Sequence, residues 1–215
     1  MKYINEKDAE TLKGMFTSLE NDVNLTYFKR DEDCETCPIA EELLTEVSSL
    51  SDKLKLTVKD VDADSDSAQS YGIDKVPALV VEGSQDRGIR FYGVPSGYEF
   101  NSLLNAFMLV SRGEATLPGV IRDDLDKLDD DIHLQVFVTP NCPHCPSAVK
   151  TAHNFAMYSD KVRADMIEIS EFPDMAKKYE VMSVPKIVIN EEEDFVGALS
   201  DVQFLEKIMA YGSKS

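Results

Sequence analysis

A chain of 215 residues with 43% hydrophobic side chains has material for one large core or two compact ones. Its net charge of −18, with no Lys or Arg run to offset it, argues against nucleic acid and anionic membrane surfaces as partners. Met1 to Phe16 is broken by Asn5, Glu6, Lys7, Asp8 and Glu10, and no stretch approaches membrane-spanning length, so a signal peptide and a membrane span are not expected and cytoplasmic residence is.

A helical pattern over roughly Glu6 to Glu20 opens the chain, and Leu25-Thr26-Tyr27-Phe28 reads as a short apolar strand. Cys34-Glu35-Thr36-Cys37 follows, with Pro38 directly behind it. Ile39, Leu43, Val47, Leu50 and Leu54 recur at helical spacing, Lys55-Leu56-Thr57-Val58 reads as a strand, and a second short helix leads to Val76-Pro77. Ala78-Leu79-Val80-Val81 is a β-rich run ending at the turn-prone Gly83-Ser84, with Gly88 to Gly93 as its hairpin partner. Phe100, Leu103, Leu104, Phe107 and Met108 mark a closing helix, and Arg112 to Gly119 is the natural linker.

The pattern then restarts. A helix is predicted over Val120 to Leu128, a strand at Leu134-Gln135-Val136-Phe137, then Cys142-Pro143-His144-Cys145 with Pro146 behind it. Val149, Ala152, Phe155 and Ala156 fall at helical spacing, and Ala164-Asp165-Met166-Ile167 reads as a strand. Val184-Pro185, the run Lys186-Ile187-Val188-Ile189, a short strand at Phe195 to Gly197 and a helix through Val202, Leu205, Ile208 and Met209 complete the second half. Each second Cys stands 40 residues before its proline (77 − 37 and 185 − 145), and the halves are offset by 108 residues (142 − 34). Such self-similarity predicts two copies of one module. The order β-α-β-α-β-β-α in each predicts an α/β protein of two tandem thioredoxin-like domains, residues 1–115 and 116–215, each a central mixed four-stranded sheet flanked by helices.

All four cysteines fall in these two close pairs, which points to catalytic or metal-binding thiols rather than a structural disulfide framework. Two Cys at i and i+3 where a helix starts place both sulfurs on one side of its first turn. Cys142 is expected at the helix N-cap, where free N–H groups favour its thiolate as the attacking sulfur, with Cys145 resolving the mixed disulfide. Pro143 is expected at the first helical position, whereas Pro146 is expected to cost a hydrogen bond and bend the helix. His144 either assists the Cys142 thiolate or is simply a variable residue between two thiols. His133, before a strand, and His153, within a helix, read as structural.

The two sites differ in charge. Asp31, Glu32, Asp33 and Glu35 crowd Cys34, and no acid lies beside Cys142, so Cys34 is expected to be the less acidic thiol and its disulfide the harder one to reduce. Cys142-Cys145 is then the main catalytic pair, with Cys34-Cys37 auxiliary or donating electrons to it. Two Cys-x-x-Cys knuckles could alternatively form one tetrahedral zinc or iron clip between the domains. The adjacent prolines, the paired Val-Pro dipeptides and the strand-to-helix placement weigh against that, so neither metal nor cofactor is expected.

Beyond the cysteines, the stretch from Gly88 through Phe91-Tyr92-Gly93-Val94-Pro95-Ser96-Gly97-Tyr98-Glu99 to Phe100, and the lead-in Val136-Phe137-Val138-Thr139-Pro140-Asn141-Cys142, resemble the protein disulfide oxidoreductases. These are glutaredoxin-like proteins with two fused thioredoxin-fold domains, and the resemblance covers nearly the whole chain. It implies dithiol-disulfide exchange on protein substrates, by oxidation, reduction or isomerisation. It also implies cis bonds before Pro77 and Pro185, with the Val76 and Val184 backbones facing the sulfurs and pairing with an extended substrate segment. Six positions before each first Cys, where thioredoxins carry a buried acid, stand Phe28 and Val136, so the halves are glutaredoxin-like in this respect. The chain is similar as well to the N-terminal electron-relay part of the large flavoprotein component of alkyl hydroperoxide reductases, which carries one active pair. Two intact pairs favour a stand-alone oxidoreductase, with a thioredoxin-reductase-like flavoprotein and a peroxiredoxin as candidate partners.

Overall fold

Asn5 starts the first helix by accepting the Asp8 N–H at 2.9 Å, and α1 runs over Glu6–Phe16. It stops short of Glu20 because Thr17, Ser18 and Leu19 donate to carbonyls three residues back, winding the end into tight turns. The first half continues with β1 (Val23–Lys29), α2 (Cys37–Ser48), β2 (Leu54–Asp60), α3 (Ser65–Ser70), β3 (Ala78–Glu82), β4 (Ile89–Tyr92) and α4 (Glu99–Arg112). Leu50 and Leu54, which extended the helical spacing, lie beyond α2: both are buried, one in the turn and one opening β2. Their period reports burial rather than helix.

The second half holds α5 (Gly119–Leu125), β5 (Ile132–Val138), α6 (Cys145–Tyr158), β6 (Val162–Glu168), α7 (Pro173–Lys178), β7 (Lys186–Ile189), β8 (Glu193–Val196) and α8 (Asp201–Gly212). This computed structural model describes residues 2–212, so Met1 and residues 213–215, at the outer ends of the two expected domains, lie outside the described residues. Among the described residues no helix is long and apolar enough to cross a membrane.

Each half contributes the expected mixed four-stranded sheet, but the two sheets are one. The strand order is β2-β1-β3-β4-β6-β5-β7-β8, and β4 pairs in parallel with β6 from Ile89↔Ala164 to Tyr92↔Ile167. The joining strands are apolar on both faces: Ile89, Phe91, Tyr92, Ala164, Met166 and Ile167 are all buried. Directly at the junction, buried Asp165 accepts from His133 Nε2 at 2.7 Å and Arg163 Nε at 2.9 Å. Arg163 also reaches the first half, donating to the Gly72 carbonyl at 3.1 Å and the Tyr92 hydroxyl at 2.9 Å. His133 therefore lies inside β5 rather than before it, as a hydrogen-bond partner of Asp165. His153 is buried in α6 against Phe91, and burial lowers its ring to about 4, so it is neutral there.

Both halves run the same way across the sheet. Following the pairings from β1 through antiparallel β3 and β4 to parallel β6 and β5 leaves β1 and β5 pointing in one direction. Their C-terminal ends, from which the two cysteine loops depart, open on the same edge.

Candidate active site

Each cysteine pair is joined as a disulfide, with Cα–Cα distances of 5.4 Å for Cys34–Cys37 and 5.5 Å for Cys142–Cys145. The helices begin at the second cysteine of each pair. Thr36 and His144 are the N-cap residues, so Cys142 precedes the cap by two positions and Pro143 sits in an exposed turn, not at the first helical position. Pro38 and Pro146 then occupy the second helical position, where the N–H has no intrahelical acceptor, and Pro146 costs no hydrogen bond. The helix end still serves Cys142, because its Sγ accepts the Cys145 N–H at 3.1 Å. No such bond to Cys34 occurs among the described residues. The His144 side chain is exposed and makes no capping bond.

Cys37 and Cys145 are buried, Cys142 is 7% exposed, and Cys34 is more open than Cys142. The Val76–Pro77 and Val184–Pro185 bonds are cis, with both prolines buried and both valines half-buried. Val184 O lies 3.8 Å from Cys142 Sγ, a contact rather than a hydrogen bond while the sulfur is in a disulfide. The surroundings of the two sites contrast. Beside the second stand exposed Pro143, Met182, which is 92% exposed, and Tyr98, whose N–H donates to the Pro140 carbonyl at 2.9 Å. Beside the first stand exposed Asp31, Glu32, Asp33, Glu35 and Asp74. Solvent and the Lys29 ammonium reduce the charge effect expected there, since Lys29 lies 3.1 Å from Asp31.

The four sulfurs do not converge. Four strand steps separate β1 from β5, about 19 Å at the usual interstrand spacing. Among the described residues no group of three or more His, Cys, Asp or Glu side chains could hold a metal. The single-clip alternative lacks its geometry.

A residue that sequence reasoning passed over is Glu99, the first residue of α4 and fully buried. It follows Tyr98, whose N–H donates to the Pro140 carbonyl just before the second site. Burial pushes its carboxyl up to about 7 against the Ser102 hydroxyl donating at 2.6 Å, and Oε1 has no partner. A glutamate at the head of an apolar helix reads from sequence as a dipole partner, which hid it. The shift from 4.5 to about 7 means that the folded chain keeps a proton the unfolded chain has released, so stability falls as pH rises through that window. Glu99→Gln should match the native protein at pH 4 and exceed it at pH 8 by about 3 kcal/mol (2.5 × 1.36), read from urea unfolding at both pH values.

Comparison with known proteins agrees with this geometry. The N-terminal domain of the alkyl hydroperoxide reductase component AhpF of Enterococcus faecalis superposes with a TM-score of 0.88 at 30% identity, over 95% of this chain and 99% of that one. A protein disulfide oxidoreductase from Aeropyrum pernix gives 0.91 at 28% identity, over 100% and 97%. AhpF of Staphylococcus aureus is 27% identical over 169 residues, and the match spans 78% of this chain but only 31% of that protein's length. The thioredoxin domain model matches twice, at residues 30–105 and 132–210, so the chain belongs to the thioredoxin-domain family and carries its domain in tandem.

Proposed function

We propose that this chain is a protein dithiol-disulfide oxidoreductase, with residues 1–115 and 116–215 as its two domains and Cys142-Cys145 as the dominant site. The observation that carries this reading is the environment of Cys142: a sulfur in a residue only 7% exposed, bonded to the Cys145 N–H and lying against the Val184 backbone. In the reduced protein that N–H stabilises the Cys142 thiolate. The thiolate attacks a substrate disulfide, one substrate sulfur leaves, and a mixed disulfide forms. Buried Cys145 then attacks Cys142 Sγ, releasing the second substrate thiol and closing the protein disulfide, which a dithiol donor reduces again. Val184 offers backbone groups to an extended segment, as Val76 does at the first site, and exposed Met182 and Tyr98 suit apolar stretches of a protein client. Cys34-Cys37 serves as an auxiliary exchange site or as electron donor to the second, and cytoplasmic residence suits thiols used in turnover.

A second reading has support in the likeness to AhpF: a relay between a flavoprotein reductase and a peroxiredoxin. The test is dithiothreitol-driven insulin reduction by the native chain and by Cys34→Ser/Cys37→Ser and Cys142→Ser/Cys145→Ser variants. Loss confined to the second variant is expected. Equal loss in both would overturn the dominance of Cys142, and an inactive native chain would overturn the reading.

A further inference from the structure

A hollow at the junction of the halves plays no part in the chemistry above. α4 of the first half packs against α6 of the second, and between them lies a cleft of about 460 Å³. Asn105 and Arg112 line it from α4, Ser147 and Lys150 from α6, each pair on one helix face. Small, buried Ala106 leaves the space, and His153 lies at its inner end.

Two features mark this cleft as a binding site. His153 is only 2% exposed, yet its Nε2 is buried with no hydrogen-bond partner among the described residues. Phe91 meets the ring edge-on at 5.0 Å, which fixes its place and leaves that nitrogen unserved. A buried polar atom without a partner is costly, so a group entering the cleft to bond it is favoured. The second feature is charge. Three ionised side chains line the cleft, and two of them, Arg112 and Lys150, are cations in a chain of net charge −18. Neither pairs with an acid among the described residues; Arg112 donates to the Thr116 hydroxyl at 2.6 Å. Asp201, the third, accepts the Thr151 hydroxyl at 2.6 Å.

We infer that the cleft between α4 and α6 binds a small oxyanion carrying a hydroxyl, a phosphate ester or a hydroxy acid, held across the junction of the two halves. Arg112 and Lys150 receive the anionic oxygens, and Asp201 turns them towards the Arg112 end. His153 is served in either neutral form: as N–H, Nε2 donates to an anionic oxygen, and as a lone pair it accepts the ligand hydroxyl. Asn105 and Ser147 add uncharged donors along the walls. Neither cysteine pair takes part, so this site stands or falls independently of the disulfide exchange.

The test uses the three histidine rings as reporters, in long-range 1H–15N spectra of the native chain at pH 7. Glycerol 3-phosphate and, separately, citrate are titrated in against sodium chloride of equal ionic strength. His153 is recognised as the ring whose burial makes it titrate lowest. A saturating shift of its Nε2 signal in the millimolar range is expected from at least one probe and not from chloride, and the probe that answers tells phosphate from carboxylate. Arg112→Gln together with Lys150→Gln, both at exposed positions, should weaken that binding on the order of tenfold or more. Reduction of the two disulfides by dithiothreitol should be unchanged in this variant, which shows that it is folded. A shift that saturates with neither probe, or that the double variant leaves unaltered, overturns the inference and assigns Nε2 to solvent alone.

Discussion

Cys145→Ser should leave a protein that starts the exchange and cannot finish it. Cys142 keeps its place and its neighbour Val184, and serine keeps the backbone N–H that Cys142 Sγ accepts, so attack on a disulfide proceeds. The resolving sulfur is gone, and the mixed disulfide persists until an external thiol finds it. An oriented neighbour in this position is worth a very high effective concentration, so insulin turnover should drop on the order of 10³-fold or more. The client should appear covalently attached to Cys142, visible as a dithiothreitol-sensitive adduct by mass spectrometry. Retained turnover, or an adduct confined to Cys34, would place the main chemistry in the first half instead.

Asp165→Asn should be the most damaging single change to stability outside the sites. Burial works to raise the Asp165 carboxyl, but His133 and Arg163 together hold it well below the usual carboxylate range. Asparagine removes the charge while Arg163 still bridges to Gly72 and Tyr92 of the other half. Breaking one side of a buried ion pair costs about 3–5 kcal/mol. Because the folded value is depressed, the carboxylate contributes stability that is present above the ordinary aspartate value near 3.8 and lost as pH falls through its folded value. The gap between native and variant in urea unfolding should therefore be full at pH 7 and shrink in strong acid. A difference below about 1 kcal/mol at pH 7 would mean that solvent reaching Arg163 and His133 already satisfies them.

Much of the fold was legible because duplication wrote it twice. The cysteine pairs, the Val-Pro dipeptides and the strands around them recur at a fixed offset, and recurrence separates a module from coincidence. What misled were local rules applied two residues too early. The helices start at Cys37 and Cys145, which moved Pro143 out of its helix and made Pro146 harmless. The merging of the two sheets left a faint trace, in that β6 reads Val162-Arg163-Ala164-Asp165-Met166-Ile167 where β2 reads Leu54-Lys55-Leu56-Thr57-Val58-Lys59. Glu171 left none, since its carboxylate bonds Val94 of the half to which it does not belong, and no periodicity connects positions so far apart.

The pairing of β4 with β6 joins the last strand of one unit to the first-edge strand of the next, both units facing the same way. A pair related by a two-fold axis consumes one edge twice and is finished, whereas this one leaves β2 and β8 as fresh copies of the two surfaces that met inside. Repeating the register of Ile89↔Ala164 and Tyr92↔Ile167 between neighbouring molecules would set Glu193 opposite Leu56 and Val196 opposite Lys59. Charge would face hydrocarbon at both ends of the ladder. The backbone is that of an open polymer, and a few side chains on its outermost strands end it at two units.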